Sequence, residues 1–145
     1  MSTVDLAGIK AAIATKLLVS GVNSSTSTDL EGLGELPAVK VTGITHFDVD
    51  ASFGMQEFLN LDINVDLLIQ RPGPITNAIT LSDSIIPALL LAARTDVDLG
   101  YPAVVKHSWL ESGDVGEMEY AGEKVFGAKM TYRVEVWQSD ITRTA

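Results

Sequence analysis

Residues 126–137, FGAKMTYRVEVW, alternate apolar and polar side chains almost without a slip. Phe126, Ala128, Met130, Tyr132, Val134 and Val136 share one parity, while Lys129, Thr131, Arg133, Glu135 and Trp137 share the other. Successive strand side chains point to opposite faces, so this pattern gives one apolar face only as a β-strand. The stretch 58–70 repeats it, with Leu59, Leu61, Ile63, Val65, Leu67 and Ile69 set against Asn60, Asp62, Asn64 and Asp66. At about 3.3 Å per residue it spans roughly 40 Å, where strands of about 5–6 residues are usual. Two such ribbons dictate a sheet with one apolar and one polar face. If they pair antiparallel, Asp62 and Asp66 can stand across from Lys129 and Arg133, each pair contributing roughly 0.2–1 kcal/mol.

The remaining elements are read from periodicity and from turn residues. Leu6, Ile9, Ile13 and Leu17 recur every three or four positions, which predicts an amphipathic helix over 2–20. Ser2 and Asp5 cap its start and Gly21 ends it. The Ser/Thr/Gly-rich segment 23–35 has no period and is expected to be a mobile surface loop. Pro37 opens a strand over 38–47, a connection over 48–57 leads into the long strand, and RPGP at 71–74 stops it. A helix comes next, with Ile75, Ala78, Ile79, Ser82, Ile85, Ile86, Leu89, Leu90 and Ala93 inward. Pro87 either kinks it or marks a start near 82–84. A third strand at 103–111 and the closing loop SGDVGEMEYAGE complete the order α-β-β-α-β-β. That order predicts an α+β fold, an antiparallel or mixed sheet with its helices on one face, and 145 residues suit a single domain, 1–145.

Several function classes are excluded or disfavoured by residue content. With no cysteine the chain has no disulfide, zinc-thiolate site or cysteine nucleophile. Its start has no basic segment before an apolar run, so no secretory signal is expected and synthesis in the cytosol is. No membrane span is expected either, since nothing approaches about 18 consecutive apolar residues. A net charge of −9 suits solubility and disfavours nucleic-acid binding, which depends on Lys and Arg neutralising phosphates.

No catalytic constellation emerges. His46, Asp48 and Asp50 in HFDVD share a parity and could converge on a metal, but their spacing is also that of ordinary polar strand residues. His107 stands alone in VKHSW, and the glycines of EGLGE and AGEKVFG lack the residues that complete a phosphate loop. Arg71, at the end of the long strand, reads as a ligand clamp or a surface ion pair. Trp137 has the parity of the polar face, and Phe53 and Met55 sit in a polar connection; all three are candidate interface anchors. The expectation is a structural or binding protein, with no catalytic, cofactor or metal residues.

Taken in order, LPAVKVTG, FLNLDINVDLLIQRP, SDSIIPALLLA and KVFGAKMTYRVEVW give the chain its resemblance to the tail terminator proteins of long-tailed, lambda-like bacteriophages. These are also called tail completion or minor tail proteins. The resemblance covers roughly residues 3–137 and lies in order, lengths and patterning; the loop at 23–35 has no counterpart in it. It implies a homo-oligomeric, hexameric ring that caps the tail tube at its set length and offers the surface onto which the head connector or a neck protein docks. DNA would pass through the lumen without specific binding. The protein would be made in the host cytoplasm and reside in the virion, with subunit or tail contacts drawing on Phe53, Met55, Arg71 and Trp137. Two alternatives are another neck or head-completion component, and a small α+β enzyme or metal-binding protein using His46, Asp48 and Asp50.

Overall fold

A computed structural model describes residues 5–51, 57–95, 97–102 and 104–137. Among these residues seven elements succeed one another: α1 (Leu6–Lys16), β1 (Ser24–Thr26), β2 (Ala38–Ala51), β3 (Glu57–Gln70), α2 (Ile75–Ala93), β4 (Val105–Tyr120) and β5 (Glu123–Trp137). The strands form one sheet in the order β1-β2-β3-β5-β4, parallel between β1 and β2 and antiparallel elsewhere. The fold is α+β, and both helices pack on the same face.

That face is the apolar parity of the two ribbons. Leu61, Ile63, Val65, Leu67 and Ile69 of β3 and Ala128, Met130, Tyr132, Val134 and Val136 of β5 are buried in one cluster with Ile9, Ile13 and Leu17 of the first helical segment and Ile85 and Leu89 of α2. β3 and β5 pair antiparallel, with Ile63 opposite Tyr132 and Val65 opposite Met130. Gly127 permits the closest approach: a Cβ there would lie 1.9 Å from the Leu67 carbonyl oxygen.

Helix α1 is shorter than the periodicity suggests. Asp5 is its cap, its carboxylate accepting from the Gly8 amide at 2.9 Å, while Ser2 lies outside the described residues. Beyond Lys16 the chain turns so that Val22 can enter the core, and Gly21 takes the left-handed conformation (φ 96°) this requires. Helix α2 runs unbroken through Pro87. Ile85 and Leu89, on either side of the proline, are both anchored in the core, and that packing outweighs the lost backbone bond. Its inward stripe is narrower than expected: Ala78, Ser82, Ile85, Leu89 and Ala93 are buried, while Ile75, Ile79 and Leu90 are exposed. By length and composition alone α2 could span a bilayer, but here its inner face is committed to the sheet.

Two loop expectations give way to strand: residues 48–51 of the expected connection extend β2 to Ala51, and the segment before β5 lengthens β4. SGDVGEMEY belongs to β4, which forms with β5 a long hairpin closed at Ala121–Gly122, both at positive φ (52° and 81°), the conformation of a tight primed turn. Gly113 serves the sheet here, since a Cβ would lie 2.9 Å from Met130 Cγ. Residues 23–35, expected as an aperiodic loop, are irregular apart from the three residues of β1. After β1 they cross the helix-free face, where Leu33 and Leu36 pack on Leu68, Val125, Met118 and Tyr120. The Lys40 ammonium, itself buried, donates to the Asp29 carbonyl at 2.7 Å, and the Tyr120 hydroxyl donates to the Leu30 carbonyl at 2.7 Å. One end of the polar face is therefore covered by the chain's own strap.

Replacing Gly127 with Ala puts a methyl into the β3 backbone and must push β3 and β5 apart. We expect a loss of at least about 2–3 kcal/mol in urea denaturation; an unchanged midpoint would mean that the two strands lie farther apart than this.

Candidate interaction surfaces at the two ends of the sheet

Strand length and helix length do not match in this fold. β2 and β3 have 14 residues each, about 46 Å at 3.3 Å per residue. α1 has 11 residues and α2 has 19, about 16 and 28 Å at 1.5 Å per residue. The helices cannot cover the whole apolar face. At the end where β2 closes and β3 opens, Ile44, Phe47 and Val49 stand opposite Ile63, Leu61 and Leu59. Ladder partners share a face, so all three point to the helix side, yet Phe47 is 64% exposed and Val49 50%. Sequence reasoning does not single out these exposed apolar side chains, because Phe47 and Val49 sit inside HFDVD, which reads as a polar cluster. Their parity, and a strand too long for its helix, were the available signals.

The opposite face of this end carries the charge ladder. Asp62 stands across from Arg133 and Asp66 across from Lys129. The Arg133 guanidinium donates to Asp62 at 2.9 Å and reaches Asp48 of β2 at 3.4 Å. Asn60 donates to Asp48 at 2.8 Å, and His46 approaches the same carboxylate at 3.7 Å. Hydrogen bonding from Asn60 holds the Asp48 carboxyl below its ordinary range; partial burial opposes this and Arg133 reinforces it. Burial disfavours the charge of Arg133, but Asp62 and Asp48 together more than offset it and raise its pKa. Lys129 lies 3.6 Å from Asp66, a long contact to a carboxylate that is buried under the strap.

Within HFDVD, Asp48 is held by the Arg133 guanidinium and the Asn60 amide, and His46 lies beside the same Asp48 carboxylate. Asp50 is placed by its backbone alone, opposite Phe58. Among the described residues no three His, Asp or Glu side chains converge as metal ligands would.

Trp137 closes β5 at the same end of the sheet, with the Lys106 ammonium 5.9 Å from its ring centroid. His107 and Trp109 of β4 lie beside it on the same face, rings 5.1 Å apart. Phe53 and Met55 lie outside the described residues. Arg71 is at the far end, just past β3, and pairs with Glu123 at 3.4 Å with both side chains about half exposed. This is a surface ion pair, worth at most about 1 kcal/mol. Beside it a cleft of about 130 Å³ is lined by Arg71, Glu117, Ile75, Ala78 and Phe126. The structure therefore separates Arg71 from Trp137: exposed Ile75 lies beside Arg71, whereas Trp137 is on the sheet face opposite to that of the exposed Ile44, Phe47 and Val49.

Comparison with protein families finds no match for this chain, and comparison with curated proteins finds none either.

The ladder leads to two expected outcomes. Arg133→Met leaves Asp62 and Asp48 without their cation at a site intermediate between exposed and buried, so we expect a loss of about 1–2 kcal/mol in denaturant melts. Because the Asp48 carboxyl is depressed when folded, its contribution is complete above the ordinary Asp range and is lost as pH falls through the folded value. Asp48→Asn is therefore expected to flatten the acid limb of a stability-versus-pH profile; an unaltered limb would remove Asp48 from the ladder's energetics.

Proposed function

We propose that this chain is a structural subunit of a closed homo-oligomeric ring, hexameric by its resemblance to tail terminators, that caps a phage tail tube and presents a surface to the head connector or a neck protein. The observation that carries the reading is the uncovered apolar group Ile44, Phe47 and Val49 at one end of the sheet. A monomer gains nothing by extending strands past its own core, and exposed aromatic groups of this kind serve as interface anchors.

A complementary feature lies at the other end. The cleft is lined by apolar Ile75, Ala78, Val125 and Phe126 together with Glu117 and Arg71, the latter paired with Glu123, and its apolar part suits a side chain such as Phe47. Leu61, opposite Phe47, is ten positions before Arg71, about 33 Å along the strand. Two different patches at opposite ends make a head-to-tail contact, which closes into a ring when the rotation allows. The net charge of −9 suits such a ring, since an acidic lumen repels phosphate and lets DNA pass. In this reading the work of the protein is geometric and no residue is assigned a chemical step.

Electron microscopy of tail tubes mixed with the protein tests the proposal. Rings at tube ends are expected with the parent chain, and their loss with Phe47→Ser or Arg71→Glu, both of which should keep a cooperative melt. If both variants still form rings, the contact lies elsewhere. If the parent forms rings that ignore tail tubes, the capping role fails while the ring stands.

A further inference from the structure

Among the described residues, strand β4 has a neighbour on one side only. Past a register shift between Leu110 and Ser112, its outer edge from Ser112 to Tyr120 presents unpaired backbone donors and acceptors. Beside this edge, on the helix side, an apolar groove of about 230 Å³ runs between α2 and the sheet. Ile86 and Leu90 form one wall, Leu110 and Val115 the other, and Ala128 and Met130 the floor. Leu90 is 41% and Val115 53% exposed. Gly113 is one reason the groove and its floor coexist, because its missing side chain makes room for Met130.

The rim of the groove carries one sign of charge. Glu111 lines it, and Glu117 and Glu119 continue the same face of β4 beyond Val115. The only charged residue in α2 is Asp83, one turn before Ile86. On this face of the hairpin the cation is Lys124, across from Glu119, while Lys129 sits on the opposite face with Asp66. A second copy is a poor occupant, since its own edge is equally acidic and like charges set opposite each other repel.

We propose that this groove and edge dock a short extended segment of a basic partner protein, added as a sixth strand on β4. Its apolar side chains enter between Leu90 and Val115, and its Lys or Arg side chains meet Glu117 and Glu119. The backbone edge supplies affinity, the groove selects apolar side chains, and the acidic rim selects charge. Glu117 also lines the cleft beside Arg71, whereas Leu90 and Val115 lie outside the ring contacts proposed above, so variants of the groove test this proposal apart from that one.

The probe is a nine-residue peptide in which threonine alternates with Leu, Val, Lys and Lys, titrated into isotope-labelled full-length protein and followed by amide chemical shifts. Shifts concentrated on residues 86–90 and 110–120 are expected. A twin with Glu for both Lys should bind at least tenfold more weakly, as should a twin with Ser for Leu and Val. Leu90→Ser, at an exposed position, should weaken the lysine peptide about tenfold. The double variant Glu117→Lys/Glu119→Lys should reverse the preference toward the glutamate twin. Equal binding of the twins, shifts spread over the acidic surface without the groove, or an unreversed preference in the double variant would each overturn the proposal.

Discussion

The antiparallel pairing of β3 with β5 is the constraint on which the rest depends. One register puts Ile63 against Tyr132 and Val65 against Met130 on the helix side, and Asp62 against Arg133 and Asp66 against Lys129 on the other. A slip of one residue would turn the side chains of the slipped strand to the wrong face. The two terms are unequal: fully burying one large aliphatic or aromatic side chain is worth about 1.5–3 kcal/mol, a cross-strand charge pair about 0.2–1. Burial drives the pairing, and charge discriminates among neighbouring registers.

Pairing along such long strands creates a mismatch of lengths. A strand advances about 3.3 Å per residue and a helix 1.5 Å, so two helices of 11 and 19 residues leave part of the sheet bare. On the helix-free face the chain answers with its own strap, in which Leu33 and Leu36 cover Leu68 and Val125. On the helix side nothing among the described residues buries Phe47 or Val49. The uncovered ends and the uncovered flank of α2 leave apolar side chains exposed in three places.

The apolar parities of β3 and β5, the two helices and the ladder charges were legible in the sequence because each repeats with a fixed period. Where composition masked periodicity, strand was mistaken for loop. Ser112, Gly113, Asp114 and Gly116 have the composition of a turn, yet they form strand because the β5 partner supplies the pairing and Met130 needs the space at Gly113. Residues 23–35 offered no period at all; their structure comes from contacts with Lys40, Leu68 and Tyr120, which no local pattern encodes. At the candidate site the polar residues of HFDVD drew attention from Phe47 and Val49 between them. Along α2 the apolar stripe is wider than the buried one, because Ile75, Ile79 and Leu90 continue it onto the exposed flank.

The central claim is that the uncovered strand ends are contacts between copies of this chain. Size-exclusion chromatography with light scattering, on the parent and on Phe47→Asp across the same concentration range, tests it most directly. The parent is predicted to have a mass of several subunits that rises to a fixed plateau, as a closed ring requires, and the variant the mass of a single subunit. A parent that stays at one subunit at every concentration, or a variant that assembles as the parent does, would contradict the claim.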